Sequence, residues 1–123
     1  MSAPNIVNIT SIYGKTVFDA DISTSDDAIL TNAANSNKLL KVNSLIISNI
    51  DGSTGADITV TIKDASGALK AKLAHTITVP ADATLVLIDK NSSIYLDETD
   101  LLRVTASANG DLTYTVSGEL MTD

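Results

Sequence analysis

The chain has 123 residues, 44% of them apolar but only 3% aromatic, with no Trp, no Cys and a formal charge of −7. That length suits one domain with its own core, the apolar content excludes a disordered chain, and the lack of Cys removes disulfide frameworks, thiolate metal sites and cysteine nucleophiles together. At a pI near 4.4, phosphate backbones and anionic lipid surfaces repel the chain, so neither nucleic acid nor membrane is an expected partner.

With so few aromatics, the core must be built from Ile, Leu, Val and Ala. Together with Thr, the β-branched members of this set favour strands. Residues 1–4 read as a loose end within a single domain over residues 1–123. The start (MSAPN) has no basic region leading into an apolar run, so no signal peptide is expected, and no stretch approaches a membrane-spanning helix. Asn5–Tyr13 and Lys15–Ile22 (NIVNITSIY and KTVFDADI) read as a first hairpin turning at Gly14-Lys15. Ala28-Ile29-Leu30 is a short strand, followed by an Asn- and Ser-rich loop, Thr31–Asn37.

Lys38–Ile50 (KLLKVNSLIISNI) is the longest apolar segment. Leu40, Val42, Ile46 and Ile50 share one parity; Leu39, Leu45 and Ile47 share the other. The β-branched content and the absence of a helix start point to a strand, either buried on both faces or bulged so that its faces switch. Asp51–Gly55 is the strongest turn signal. Ala56–Lys63 (ADITVTIK) alternates cleanly, with Ile58, Val60 and Ile62 inward. Leu45–Lys63 is accordingly the best-supported hairpin. Asp64–Gly67 turns again; Ala68–Ala74 (ALKAKLA) reads as one helical turn or a strand, its alternation favouring the strand, which His75–Val79 continues and Pro80 ends.

Ala83–Leu120 reads as four short strands separated by the polar breaks Asp89–Ser93, Asp97–Asp100 and Asn109–Asp111. Turn signals every 8–12 residues without a helical stretch mean an all-β antiparallel sandwich of about 8–10 short strands, jelly-roll-like or immunoglobulin-like.

Sites of chemistry are not expected. Asp19, Asp21, Ser23, Ser25, Asp26 and Asp27 cluster, but an EF-hand loop counted from Asp19 would need Gly and Glu where Thr24 and Leu30 stand. Asp97, Glu98 and Asp100 crowd one turn, where such residues solvate the turn and cap amides. His75 is the only His and lacks partner ligands; it is expected inward or at a rim. Arg103 is the only Arg, expected in a surface ion pair beside Asp97–Asp100. No G-x-S-x-G elbow or phosphate loop is present. The expectation is no catalytic residue, no metal and no cofactor.

The block IYLDETDLLRVTASANGDLTYTVSGEL (Ile94–Leu120), preceded by TITVPADATLVLIDKNSS, resembles small virion structural proteins of tailed bacteriophages of the marine and cyanobacterial type. NITSIYGKTV (Asn8–Val17) and LTNAANSNKLLKVNSLIISNIDG (Leu30–Gly52) are similar to that group as well. The resemblance is one of pattern across most of the chain and carries over no functional residue. It implies a virion protein made in the host cytoplasm. The leading expectation is a capsid decoration or cement protein on the major capsid protein, homo-oligomeric and trimeric if it follows local three-fold axes. A neck or tail component is the alternative, and a carbohydrate- or receptor-binding module on a fibre is a further one. Lys38–Ile50 holds more apolar residues than one sheet face needs, so Leu39, Leu45 and Ile47 are the expected subunit-contact residues.

Overall fold

Among the described residues, alternating β-branched runs become nine strands: β1 (Ser11–Asp19), β2 (Asp27–Thr31), β3 (Lys38–Asn49), β4 (Ala56–Lys63), β5 (Leu69–Val79), β6 (Thr84–Ile88), β7 (Ile94–Leu96), β8 (Leu101–Ala106) and β9 (Leu112–Thr122). The computed structural model describes residues 5–19 and 21–123, and the loose end expected at residues 1–4 lies outside them. Short 3-10 turns occupy Ile6–Asn8 and Lys90–Ser92, the latter closed by a capping box in which Asp89 accepts from the Asn91 and Ser92 amides.

The front sheet has the order β1-β9-β3-β6, with β7 also on β3, and the back sheet has the order β2-β8-β4-β5; every pairing is antiparallel. β6 pairs with Leu45–Ser48 of β3 and β7 with Leu40–Val42, so the two lie end to end on one edge. That leaves four strand positions in each sheet. Among the described residues only β4 and β5 are neighbours both in sequence and in a sheet. Most other connections cross from one sheet to the other. This is the strand order of a jelly roll, and it selects that layout over the immunoglobulin one, in which successive strands pair more often.

Two expected hairpins are therefore corrected. Residues 11–19 form one strand that runs straight through Gly14-Lys15 in nine unbroken pairs with β9. β3 and β4 belong to opposite sheets, so Leu45–Lys63 is a crossover. Both misreadings have one cause: alternation identifies strands, whereas the partner is chosen by the core that both sheets share.

That core lies between the sheets. Val42, Leu45, Ile47 and Val116 of the front sheet meet Ile58, Val60, Leu102 and Val104 of the back one. Each such side chain, fully buried, stabilises by about 1.5–3 kcal/mol. Leu40 and Val42 reach this core on one parity and Leu45 and Ile47 on the other, because the register shifts between Val42 and Ser44. Asn43 is the extra residue of a bulge that switches the faces of β3. The bulge draws the β3 backbone close to Gly118 of β9, where a Cβ would stand 1.7 Å from the Lys41 carbonyl oxygen.

Two buried asparagines bolt the ends of the front sheet. Asn49 donates to the Thr54 carbonyl (3.0 Å) and the Val79 carbonyl (2.9 Å), and accepts from the Asp51 amide (2.8 Å). Asn32 donates to the Lys38 (2.8 Å) and Leu96 (2.9 Å) carbonyls and accepts from the Ser36 hydroxyl (2.6 Å). Buried amides so satisfied hold loops to sheet ends at little desolvation cost.

Candidate functional site

The bulge at Asn43 decides what the front sheet shows to the outside. Cross-strand partners share a face, so the register defines outward rows. One row is Gly14–Glu119–Lys41–Tyr95, and another is Phe18–Thr115–Ile46–Val86. A third, Ile12–Met121–Leu39, lies at the end where the Thr10 amide donates to the Thr122 carbonyl. Between the first two rows, the Thr16 and Ser117 hydroxyls bond each other at 3.1 Å.

Large apolar side chains stand open on this face among Ser and Thr, with the Ser48 and Thr84 hydroxyls in contact at 3.3 Å, whereas Leu39 and Met121 of the third row are buried. Phe18 is 74% exposed, Ile12 58%, Val86 55% and Tyr95 44%. Ile46 is half-buried beside them. Among the described residues, the only charges on the outward strand positions are Lys41 and Glu119, which are cross-strand neighbours. The Lys41 ammonium stands 6.0 Å from the Tyr95 ring centroid, at the limit of a cation–π contact. Contiguous apolar surface of this kind marks a protein contact more often than a site of chemistry.

The expected contact residues are corrected accordingly. Leu45 and Ile47 are 0% exposed and packed in the core, so they cannot also meet a second subunit. Leu39 faces outward by register but is buried at 4% exposure and lies outside the core cluster. Of the two readings of β3, the bulge that switches faces is the one observed: it brings Leu40 and Val42 from one parity and Leu45 and Ile47 from the other into the core, and leaves Leu39 and Ile46 on the outward face. The signal for the true outward residues was present elsewhere: TLVLI in β6 is apolar on both parities, and Val86 is the part left outside.

The polar candidates disperse. Among the described residues, no three His, Asp or Glu side chains come together as a metal site. Asp21 accepts from the Gly110 amide (2.6 Å), Asp27 from the Ser23 hydroxyl (2.7 Å), and Asp26 pairs with Lys63 (2.6 Å). Arg103 donates to the Asp26 carbonyl (2.9 Å) and approaches its carboxylate at 3.8 Å, so its partner is Asp26 and not the Asp97–Asp100 turn. Lys70 takes the place foreseen for Arg103 and pairs with Asp100. The Asp100 carboxylate holds the Lys70 ammonium above its ordinary value of 10.5. His75 is exposed on β5, not inward.

The turn at Asp97–Asp100 is also less solvated than expected. Asp100 and Glu98 are both buried. Asp100 accepts the Asp97 amide at 3.0 Å, whereas neither Glu98 carboxylate oxygen has a hydrogen-bond partner. At another corner, partial burial and the nearby Asp51 carboxylate push the Asp111 carboxyl above the usual 3.8, while the Ser53 amide and hydroxyl hold Asp51 below it.

No helix among the described residues is long and apolar enough to cross a membrane. No protein-family model matches the chain, and no curated protein matches it.

Proposed function

We propose that the chain is a non-enzymatic structural protein of a phage virion, a decoration or cement protein that adds buried contact area to the head shell. In this reading it is made in the host cytoplasm and carried on the particle, and it binds the major capsid protein and further copies of itself. The observation that carries the reading is the outward face of the front sheet, where Phe18, Ile12, Val86 and Tyr95 stand exposed on a rigid, regularly paired surface. Such a face suits a broad protein contact.

Three further features support it. The jelly roll recurs in viral capsid domains, although also in lectins and cupins, so the fold alone carries no function. The resemblance of Ile94–Leu120 to phage virion proteins points to the first of these. A charge of −7 suits a domain displayed at high density in water.

Immunogold electron microscopy of intact particles, with an antibody to this chain, tests the proposal. Gold spread over the heads is expected. Gold confined to one vertex or along the tail would move the protein to the neck or tail. Unlabelled particles, with an antibody that binds the free protein, would remove the virion reading.

A further inference from the structure

We infer that the outward face of the front sheet takes a second copy of this chain, packed face to face about a two-fold axis that runs along the strands between β9 and β3. The inference rests on reading that face as a contact surface, but not on a virion location.

The row Gly14–Glu119–Lys41–Tyr95 carries it. Read across the sheet, the row is small, negative, positive, large. A two-fold along the strands lays β9 of one copy over β3 of the other, and β1 over the β6–β7 edge. Glu119 then faces Lys41 of the second copy, and Lys41 faces its Glu119. Tyr95 falls over Gly14 of the second copy, where nothing stands within 4 Å of the position a Cβ would take. In the next apolar row, Phe18 falls over Val86 of the second copy. In the first row each position thus meets its complement in size or in charge, and in the second apolar meets apolar at Phe18 and Val86, which is what an isologous interface requires of a single surface.

Aligned sheet packing turns the two sheets by about 30°. Positions near the axis therefore keep their partners while those at the corners drift. Lys41 and Glu119 flank the axis, so they are the best-determined contact. They also explain why the occupant is another copy. The chain carries a charge of −7, yet the outward strand positions of this face carry one Lys and one Glu. Two copies can meet here without bringing their excess negative charge together.

The small size of the face points to a weak contact. Four strand positions about 4.8 Å apart, over a rise of about 13 Å from the Gly14 row to the Phe18 row, give roughly 250 Å² in plan, since Leu39 and Met121 of the Ile12 row are already buried. Two such faces bury about 500 Å², well below the ~1,200–2,000 Å² of stable complexes. The dimer should therefore form with a Kd between about 10 μM and 1 mM. An isologous contact closes at two copies, so it takes the place of the trimer expected from lattice symmetry.

Sedimentation equilibrium up to about 2 mM chain, at an ionic strength near 0.15 M where long-range repulsion is screened, reads the association. Wild type should be a monomer–dimer system. Lys41→Glu and Glu119→Lys should each weaken it by about tenfold or more. Mixed in equal amounts, the two variants should form a heterodimer at least as tight as the wild-type dimer, because both crossed pairs are then opposite in charge. Loss of the cross-strand Lys41–Glu119 neighbour within one chain cannot produce that rescue. Phe18→Ser and Val86→Ser, both at exposed positions, provide second variants should a charge swap impair folding, and each should weaken the dimer. A monomer at every concentration would overturn the inference and leave the face to a different protein. A dimer indifferent to these substitutions, or charge swaps that weaken without rescue on mixing, would overturn it equally. None of these outcomes depends on where immunogold places the chain, so the two proposals fail separately.

Discussion

The outward faces of the two sheets are made from strands of similar length and composition, yet they leave their side chains in different states. On the back sheet, Thr59 pairs with Thr105 and Thr61 with Arg103 across β4 and β8. Thr78 donates to Asp57 (2.7 Å), the Thr76 amide to the Thr59 hydroxyl (3.1 Å), and Lys63 to Asp26 (2.6 Å). Much of that face is bonded within the chain, although the Thr61 hydroxyl and Arg103 Nε are buried without a partner. On the front sheet, the corresponding positions include Phe18, Val86, Ile12 and Tyr95, which stand largely exposed, and the half-buried Ile46. The difference shows that burial inside a sandwich constrains only one parity of each strand. What the other parity carries reflects what it must touch: solvent on the back sheet and, in the reading proposed above, another protein on the front.

The substitution that should damage this arrangement most is Gly118→Ala. Its Cβ would meet the Lys41 carbonyl oxygen at 1.7 Å, and backbone cannot yield as a side-chain tip can. A loss of about 3 kcal/mol or more is expected in urea denaturation, with Lys41 displaced from its outward position. A wild-type midpoint would mean that the bulge is not held by this close approach.

A sharper test compares neighbours on β3. Leu45→Ala opens a cavity in the core and should cost about 2–5 kcal/mol. Ile46→Ala, one residue on but outward, should cost less than about 1 kcal/mol and act instead on self-association. Equal losses would contradict the inward and outward assignments. Asn49→Ala leaves the Asp51 amide and the Thr54 and Val79 carbonyls short of their partner. About 1–3 kcal/mol should be lost, with proteolytic nicking near Asp51–Gly55 as a second readout.

The smallest effect belongs to pH. The Ser66 hydroxyl and the Ala68 amide hold the Asp64 carboxyl below its ordinary 3.8. A lowered acid binds its proton less tightly when folded, so its contribution is complete above pH 3.8 and fades as the pH falls through the lowered value. Asp64→Asn should therefore melt slightly below wild type at neutral pH, and the gap should close in acid. A gap that widens in acid would mean that the Asp64 bonds are absent in solution.

How much of this the residues disclosed depends on the range of the interaction. β4 and β8 were legible because ADITVTIK and LLRVTA each report their own burial by alternation. Strand partners were not legible, since the pairing of β1 with β9 joins residues about a hundred positions apart and nothing near Gly14 announces it. The bulge was open as one of two readings, but its consequence was not. It moved Leu45 and Ile47 inward and left Ile46 outside, and the acceptance of Lys41's carbonyl beside Gly118 is a fact of three dimensions. Asn32 and Asn49 looked like ordinary polar residues, because a buried amide is distinguished only by the carbonyls gathered around it. The Asp97–Asp100 turn hid its burial in the same way, and its cation, Lys70, comes from a distant edge strand.

The claim on which the account turns is that the front face is open in the single chain and covered in its assembly. Hydroxyl-radical footprinting of the dilute and the concentrated protein measures this side chain by side chain. In dilute solution Phe18, Tyr95 and Ile12 should be oxidised readily, and the buried Tyr114 and Leu45 should not. On concentration, Phe18 and Tyr95 should become protected together, while Tyr13, exposed on the opposite parity of β1, keeps its reactivity. Protection of back-sheet residues such as Thr59 and Thr105 instead, or reactivity that is independent of concentration at Phe18 and Tyr95, would contradict it.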